Sequence, residues 1–359
     1  MRAMVAMSGG VDSSVAAARM VDEGHEVVGV TLKLWEGPKG ELPTAGCCTV
    51  GDAEDARRVA SQLGIAYYVL DYTEPFMDGV VGRFISDYAS GRTPNPCVEC
   101  NRTVKFDRML SHALELDCDV LVTGHYARVR EDRDGWHLLR GVDPAKDQSY
   151  VLSMLGQDAL ARTRFPVGEL TKDETRAIAG ELRLRTAHKP DSQDICFVGD
   201  DDYRGFVRRH APEAARPGAI VEVDGTVVGT HDGVTDFTIG QRRGLGIAVG
   251  EPRFVVGIDA SASTVTIGRR QDLEVAGIEV GGVSFVSGVA PSDPAIQVQV
   301  RYRGGPVPAR LESGDGGWQV AFDEPLTGVA PGQTAVFYRG EEVLGGGIIE
   351  RSLQDSRIG

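Results

Sequence analysis

The chain has 359 residues, a net charge of −14 and six cysteines, and apolar side chains make up 42% of it. That length exceeds what one domain usually needs, and the apolar content suffices for packed cores. No apolar run approaches the roughly 18 residues of a membrane span, which excludes an integral membrane protein. The negative charge excludes non-specific coating of nucleic acid but leaves room for a local basic patch.

The first 130 residues alternate between strand and helix patterns. Strands are predicted at residues 5–7, 27–34, 66–70 and 119–123, and helices at 13–21, 52–63, 74–89 and 104–116. This order predicts an α/β domain with a parallel sheet and helices on both faces. Ligands of such sheets bind beyond the carboxyl ends of the strands, where Ser8-Gly9-Gly10 and Thr123-Gly124-His125 fall.

The second half of the chain has a different texture. Residues 148–185 have a helical pattern, whereas after about residue 200 short valine-rich runs alternate with glycine-containing turns. That texture is typical of all-β structure and favours barrels. A composition shift near Gly277 divides the β region, so we expect domains at 1–200, 201–276 and 277–359, the last a β-barrel.

The segment after the first strand reads Met7-Ser8-Gly9-Gly10-Val11-Asp12-Ser13-Ser14. Glycines let the backbone approach a ligand closely, and the N-terminus of a helix offers unpaired N–H groups to an anion. The aspartate suggests Mg²⁺ between carboxylate and phosphate. The alternative is an ordinary helix cap by Asp12 or Ser13. A Walker loop is excluded, because the G-K-[ST] sequence is missing.

Four of the six cysteines suggest roles. Cys100 lies just before a predicted helix, where a cysteine gains thiolate character, and Cys196 is a possible partner far along the chain. Cys97 and Cys100 could instead form half of a zinc site, although the chain has no second C-x-x-C. Cys118 fits a buried position, and Cys47 and Cys48 have no assigned role. Six cysteines in so long a chain, and no signal segment, predict a cytoplasmic protein.

Eight motifs occur in one order: SGGVDSS, RTPNPCVECN, TGHYAR, KDQSYVL, FPVGELTK, DSQDICF, TIGQRRGLG and GGGIIE. Over nearly its whole length the chain resembles the tRNA-specific 2-thiouridylases, members of the PP-loop ATP pyrophosphatase superfamily. The resemblance implies an adenine nucleotide alpha hydrolase-like α/β domain and two small all-β domains. It also implies an ATP-dependent transferase that puts sulfur on C2 of the wobble uridine of tRNA, releasing AMP and pyrophosphate.

The resemblance also assigns residues. Cys196 would carry a persulfide and Cys100 would be the nucleophile, leaving a Cys100–Cys196 disulfide, while Asp12 would help hold Mg²⁺. ATP would contact Ala6, Met7, Ser8, Gly9, Gly10, Val11, Asp12, Ser13, Leu32 and Gly124. The implied partners are tRNA and a persulfide donor, either a cysteine desulfurase or a sulfur-relay protein; no membrane is implied.

The residues implied for tRNA are Asn95, Pro96, Cys97, His125, Lys146, Asp147, Gln148, Arg301, Tyr302 and Gln333. A base that undergoes chemistry must leave its stack, and aromatic or backbone groups then grip it. Less specific interpretations remain open. Residues 301–303 would be an exposed strand face, residues 241–244 a turn and residues 146–148 a helix start capped by Asp147, with His125 a hydrogen-bonded strand-end histidine.

One residue departs from the family pattern. Cys97 lies where many relatives have another residue, and a third sulfur near Cys100 and Cys196 leaves room for an iron–sulfur cluster. An alternative role for Cys97 is to compete as the resolving thiol. The persulfide route is the favoured interpretation.

Two other functions compete. One is another PP-loop ATP pyrophosphatase, a nitrogen-adding tRNA ligase or an amidotransferase-type synthetase, which would not need both Cys100 and Cys196. The other is a non-catalytic RNA-binding protein, which tRNA-dependent ATP consumption would exclude.

Overall fold

A computed structural model describes residues 1–36, 49–190, 195–198, 202–247, 250–314 and 317–354. Within them the strands form three sheets of five, four and eight strands. No helix in these ranges is long and apolar enough to cross a lipid bilayer. Cys47, Cys48 and residues 191–194 lie outside the described residues.

The first part of the chain contains seven strands. They are β1 Arg2–Ala6, β2 Glu26–Lys33, β3 Ala66–Asp71, β4 Val120–Val122, β5 Ala127–Asp132, β6 Gly135–Arg140 and β7 Thr163–Arg164. The five-stranded sheet has the order β3-β2-β1-β4-β7, and every neighbouring pair is parallel. The predicted parallel sheet is confirmed. Its strand order reverses between β1 and β4, the place where such sheets bind ligands.

Nine α-helices accompany these strands in the described ranges. They are α1 Val11–Asp22, α2 Val50–Leu63, α3 Thr73–Phe76, α4 Gly82–Ala89, α5 Pro96–Glu99, α6 Leu110–Glu115, α7 Gln157–Ala161, α8 Lys172–Glu181 and α9 Tyr203–His210. Helices cover both faces of the sheet. Side chains of β1 accordingly alternate between two cores. Ala3 and Val5 belong to the core shared with α1 and α2, and Met4 belongs to the core shared with Phe76 and Val104.

Two long helices contain π-helical segments. Met77–Val81 joins α3 to α4, and Cys100–Met109 joins α5 to α6. The second helix starts at Pro96 and not at residue 104, because Asn95 caps it by accepting the N–H groups of Cys97 and Val98. The expectation that Cys100 precedes the helix is therefore wrong. Cys97 lies in the first turn, and Cys100 lies one turn further in.

The expectation of a helical section at 148–185 is only partly right. The structure has 3₁₀ turns at Ser149–Leu152 and Arg185–His188, the helices α7 and α8, and between these helices the unpredicted strand β7. Two residues are too few for a periodic signal, and β7 exists because it pairs with β4 at the sheet edge. The hairpin of β5 and β6 was not predicted either.

The central unit is a mixed four-stranded sheet of order β10-β11-β8-β9, with β8 and β11 parallel. Its strands are β8 Gly218–Glu222, β9 Val227–His231, β10 Phe254–Asp259 and β11 Thr264–Gly268. Among the described residues, further 3₁₀ turns occur at Pro212–Ala214, Val234–Asp236 and Arg270–Leu273.

The last unit is a closed six-stranded barrel, which confirms the predicted C-terminal β-barrel. Its strands are β12 Val275–Phe285, β13 Ala295–Gln299, β14 Val307–Gly314, β15 Gly317–Leu326, β16 Thr334–Arg339 and β17 Glu342–Leu353. They follow the order β12-β15-β14-β13-β16-β17, and pairing of β12 with β17 closes the barrel. The β5–β6 hairpin extends this sheet, since β6 pairs with the start of β17. The first domain and the barrel therefore share one sheet.

Candidate functional site

The glycine loop connects β1 to α1 at the carboxyl edge of the parallel sheet. Gly9 has φ 73° and lies so close to α2 that a Cβ would overlap the carbonyl of Asp52. The helix α1 starts at Val11, and its N-cap is Gly10, which has no side chain that could cap the helix. The cap interpretation of Asp12 or Ser13 is therefore wrong. The helix N-terminus opens onto the loop, the arrangement that binds phosphate.

Hydroxyl groups line the same turn. The backbone N–H of Ser8 donates to Ser13 Oγ at 3.1 Å, and the Ser14 hydroxyl donates to the Gly10 carbonyl at 2.8 Å. Gly124, after β4, packs directly against α1, because a Cβ there would lie 2.6 Å from the backbone nitrogen of Ser13. The two predicted strand-end segments do meet. The buried Leu32 lies on the neighbouring β2.

Two lysines that the sequence analysis missed converge on this loop. Lys172 Nζ lies 2.8 and 2.9 Å from the two carboxylate oxygens of Asp12, and the Tyr126 hydroxyl donates to the same carboxylate at 2.8 Å. The side chains of Lys172 and Asp12 are 9% and 29% exposed. The charge of Asp12 is therefore held by a buried cation of the protein itself.

Lys189 makes the second charged contact with the loop. Its Nζ donates to the Gly9 carbonyl at 3.0 Å, to Asp52 at 2.6 Å and to Asp55 at 2.9 Å. Burial acts to lower the pKa of Lys189, but hydrogen bonds to the two carboxylates outweigh it and raise the pKa. Burial likewise acts to raise the pKa of Asp52, and the hydrogen bond from Lys189 turns the net shift downward. The chain has only six lysines, and that scarcity was a signal available in the sequence.

The cysteines of the first domain differ in their surroundings. Cys97 is exposed, whereas Cys100 is buried in the apolar core beneath the helix. Cys196 is half-buried and packs against that same core, where the adjacent Phe197 stacks edge-on with Phe84 at 5.1 Å. The structure thus brings Cys100 and Cys196 to one apolar cluster. Cys118 is buried as predicted, and burial raises the pKa of its thiol.

Residues predicted from distant motifs meet around Cys97. We name the group formed by Asn95, Cys97, Asp147, Tyr150 and Tyr302 the Cys97 cluster. The Asn95 side chain lies beside the Tyr150 hydroxyl, which donates to the Thr334 carbonyl at 2.7 Å. The ring centroid of Tyr150 lies 5.9 Å from that of Tyr302. Burial raises the pKa of Tyr302, and negative charge on Cys97 and Asp147 raises it further. The cluster joins the first domain to the barrel.

The segment 146–148 connects this cluster to the glycine loop. The Asp147 carboxylate accepts the N–H groups of Gly141 and Ser149, each at 3.0 Å. A 3₁₀ turn does start at Ser149, but its N-cap is Gln148 and it has no side-chain cap, so the expected cap by Asp147 is wrong. Gln148 exchanges two hydrogen bonds with the backbone of Tyr126, at 2.8 and 3.0 Å. Since the Tyr126 hydroxyl reaches the loop carboxylate, the loop and the Cys97 cluster are joined by continuous contacts.

The remaining predicted contacts are His125, the pair Arg301 and Tyr302, and Gln333. His125 is buried between Phe106 and Phe165, with Nδ1 2.7 Å from the Thr123 hydroxyl, so it matches the strand-end interpretation. Burial, and secondarily the charge of Lys105, holds the pKa of His125 well below its ordinary value, and the ring is neutral at pH 7.

Residues 301–304 form an exposed turn between β13 and β14, so the interpretation of 301–303 as a strand face is wrong. A turn here leaves Arg301 and Tyr302 free of a strand ladder. Residues 241–244 are irregular with a bend at 243–244, and the hydrogen-bonded turn comes just before them, at 238–241. The Gln241 side chain accepts the Thr238 N–H there at 3.1 Å. The Gln333 side chain donates to the Thr93 carbonyl at 2.8 Å.

Metal ligands are sparse. Within the described ranges, no group of three histidine, cysteine or acidic side chains is placed to hold a metal ion. Asp12 offers one carboxylate at the loop, which fits a Mg²⁺ ion that takes most of its ligands from substrate phosphates and water.

A glycine loop at the reversal point of a parallel sheet, flanked by two lysines, defines an α/β protein with a phosphate-binding site. Three family models match successive parts of the chain. They are the tRNA methyl transferase HUP domain at 1–200, the tRNA methyl transferase PRC-barrel domain at 204–269 and the Aminomethyltransferase beta-barrel domain at 275–349.

Curated relatives are similar over almost the full length. The tRNA-specific 2-thiouridylase MnmA of Mycolicibacterium smegmatis is 50% identical, over 98% of this chain and 100% of the relative. The tRNA-specific 2-thiouridylase MnmA of Roseiflexus sp. (strain RS-1) is 48% identical, over 97% and 99%. That of Carboxydothermus hydrogenoformans is 47% identical, over 98% of both chains. The chain belongs to the tRNA-specific 2-thiouridylase family.

Proposed function

We propose that the chain is an ATP-dependent sulfurtransferase that replaces O2 of the wobble uridine of tRNA with sulfur, releasing AMP and pyrophosphate. The supporting observation is the run of contacts from Asp12, through Tyr126 and Gln148, to the segment of Tyr150, whose ring centroid lies 5.9 Å from that of Tyr302. An enzyme that activates a base with ATP and then delivers sulfur needs both sites within reach of one nucleotide.

The family models and the full-length relatives suggest different reactions, and the residues favour one of them. The family models are described with the words "methyl transferase", while the full-length relatives are called 2-thiouridylases. Methyl transfer requires neither a phosphate-binding loop nor two cysteines at one apolar cluster. The loop around Gly9 and the pair of Cys100 and Cys196 support sulfur transfer.

The first step would activate the base. The ATP phosphates would lie at the N-terminus of α1, against Ser8, Gly9, Gly10 and Ser13, with Ala6, Met7, Val11, Leu32 and Gly124 shaping the nucleotide site. Uridine O2 attacks the α-phosphorus, pyrophosphate leaves, and the carbonyl oxygen becomes part of an adenylate. Lys172 and Lys189 would stabilise the negative charge that grows on the phosphates.

Mg²⁺ fits this site. When bound to the phosphates it neutralises their charge, and Asp12 would be its protein ligand. Lys172 contacts both oxygens of Asp12, so we expect that lysine to turn toward the phosphates when nucleotide and metal are present.

The second step would transfer sulfur. The terminal sulfur of a Cys196 persulfide attacks C2, and AMP leaves with the electron pair of the C2–O bond. The Cys100 thiolate then attacks Cys196 Sγ, the persulfide S–S bond breaks, and its electron pair stays on the sulfur bound to C2. The products are 2-thiouridine and a Cys100–Cys196 disulfide, which a thiol reductant returns to two thiols.

The tRNA would approach the Cys97 cluster. Asn95, Pro96 and Cys97 would lie beside the extruded base, with Tyr302 available for stacking and Arg301 for phosphate. Lys146, Asp147 and Gln148 would shape the wall of this site, Gln333 would lie behind it, and a contact from the buried His125 would require Phe106 and Phe165 to move.

The remaining parts of the proposal concern organisation. We propose domains at 1–200, 201–276 and 277–359, a cytoplasmic location, and sulfur supplied as a persulfide by a cysteine desulfurase or a sulfur-relay protein. Cys97 is exposed and Cys100 buried, so the two sulfurs of this helix meet different environments. That difference supports the persulfide route over a shared iron–sulfur cluster.

Thiolation of unmodified tRNA with ATP, Mg²⁺ and a persulfide source tests the proposal under anaerobic conditions. We expect 2-thiouridine, scored by mass, from wild type and Cys97→Ser, and none from Cys100→Ser or Cys196→Ser. Loss in all three variants, with iron in the active protein, would favour a cluster. Release of AMP without thiouridine, unaffected by both cysteine changes, would support the nitrogen-adding ligase instead.

A further inference from the structure

The barrel is hydrogen-bonded to the chain immediately before the helix that carries Cys97 and Cys100. The Thr93 N–H donates to the Pro331 carbonyl at 2.8 Å. The Gln333 side-chain amide donates to the Thr93 carbonyl at 2.8 Å and reaches the Pro94 carbonyl at 3.5 Å. Both backbone polar groups of Thr93 are thus satisfied by the barrel, 240 residues away in sequence.

Close packing reinforces these hydrogen bonds. Gly332 has φ 92°, and a Cβ there would lie 2.8 Å from the Thr93 nitrogen, so the position requires glycine for both reasons. Its neighbour Gln333 is fixed to β17, because the Ile349 N–H donates to the Gln333 carbonyl at 2.8 Å. The turn at residues 331–333 is therefore fixed relative to the rest of the barrel.

A charged contact and a second domain hold the same segment. The Arg92 guanidinium lies 2.7 Å from Glu350 of β17. One residue earlier, a Cβ on Gly91 would lie 2.7 Å from the side chain of Ile258 in the central sheet. Residues 91–94 are thus held from both β units.

The segment held by the β units, residues 91–94, ends where the cysteine-bearing helix begins. Asn95 follows Pro94 directly and caps the helix that carries Cys97 and Cys100. Prolines at 94 and 96 fix their own φ angles, so little rotational freedom separates the held carbonyls from the first helical turn. A displacement of Thr93 would therefore move both cysteines relative to Tyr302 on the barrel.

We propose that Gln333 is a positioning residue for the proposed sulfur transfer. Its amide nitrogen fixes the Thr93–Pro94 carbonyls and holds the cysteine-bearing helix against the barrel, so that tRNA meets an assembled site. This inference rests on the proposed function. It goes beyond the direct tRNA contact expected from the sequence, because the amide nitrogen donates to the protein backbone in the structure.

Gln333→Met and Gln333→Glu test the role, since both keep the length of the side chain and neither can donate two amide hydrogens. Gln319→Met, elsewhere in the barrel on β15, is the matched control. Alkylation of Cys100 is measured by mass spectrometry without tRNA, alongside kcat and KM for tRNA in thiolation. We expect alkylation of the buried Cys100 to accelerate about fivefold, the effect of losing one hydrogen bond, and kcat to fall similarly with KM unchanged.

A raised KM with unchanged alkylation would mean that Gln333 contacts tRNA, and it would overturn the proposal, as would no change in either quantity. If the Gln333 variants do not fold, Glu350→Gln loosens the same segment from an exposed position, and faster Cys100 alkylation there is again expected. Failure of wild type to make 2-thiouridine would refute the proposed function. The alkylation rates would still show whether Gln333 holds the cysteine-bearing helix against the barrel.

Discussion

Replacement of Lys172 by methionine tests the charge arrangement at the glycine loop most directly. Methionine fills a similar volume without the charge, so the variant removes the cation that lies 2.8 Å from Asp12. The Tyr126 hydroxyl remains as a hydrogen-bond donor to the carboxylate. If Lys172 also serves the ATP phosphates, stability and activity should both fall.

The structure sets the expected magnitudes. Removal of one partner from a fully buried ion pair costs about 3–5 kcal/mol. The Asp12 side chain is 29% exposed, so water screens part of that cost. We therefore expect the free energy of unfolding to fall by about 2 kcal/mol. Loss of a charge that stabilises the transition state should lower the rate of adenylation about 10²–10³-fold.

The assay is tRNA-dependent AMP formation, with urea unfolding measured on the same preparations. Lys172→Arg keeps the charge and should retain much of the activity. Arg58→Met, which removes an exposed cation paired with Glu54 on α2, should leave both quantities unchanged. AMP formation by Lys172→Met within about threefold of wild type would refute the assignment of Lys172 to the phosphates.

Two further predictions concern stability. Hydrogen bonding to Glu342 raises the pKa of His137; burial opposes this shift and Asp132 supports it. The protonated His137 therefore stabilises the fold fully below about pH 6.5, and this stabilisation is lost as the pH rises through the raised pKa. Urea midpoints should therefore fall between about pH 6 and pH 9 more steeply for wild type than for His137→Asn, and parallel profiles would contradict this. Gly124→Ala should destabilise by about 2–3 kcal/mol and weaken nucleotide binding, because its Cβ would meet the backbone of Ser13 at 2.6 Å. The control Gly180→Ala in α8, where a Cβ meets no described atom within 4 Å, should instead stabilise by up to about 1 kcal/mol in thermal and urea unfolding.

The sequence predicted those parts of the protein that depend on neighbouring residues. Strand and helix periodicity gave the parallel sheet, and the glycine loop was found because strand, turn and helix follow one another directly. The family motifs then named Asn95, Cys97, Asp147 and Tyr302, which the structure places in one cluster. Local patterns are legible because each is stabilised within a few residues.

Local reasoning failed where another part of the chain decided the conformation. The strand β7 is two residues long and exists through pairing with β4, and the β5–β6 hairpin is completed by β17 of the barrel. The start of the second long helix was misplaced as well, although Asn95 and Pro96 are signals of a helix start.

By itself the sequence determined the fold class and the position of the glycine loop. Only the tertiary structure decided that Lys172 and Lys189 reach that loop, that His125 is buried and neutral, and that Gln333 holds the cysteine segment. The physical reason is separation along the chain. Lys172 lies 160 residues from its partner Asp12 and Gln333 lies 240 from Thr93, so these contacts are fixed by packing of whole domains and leave no periodic trace in the sequence.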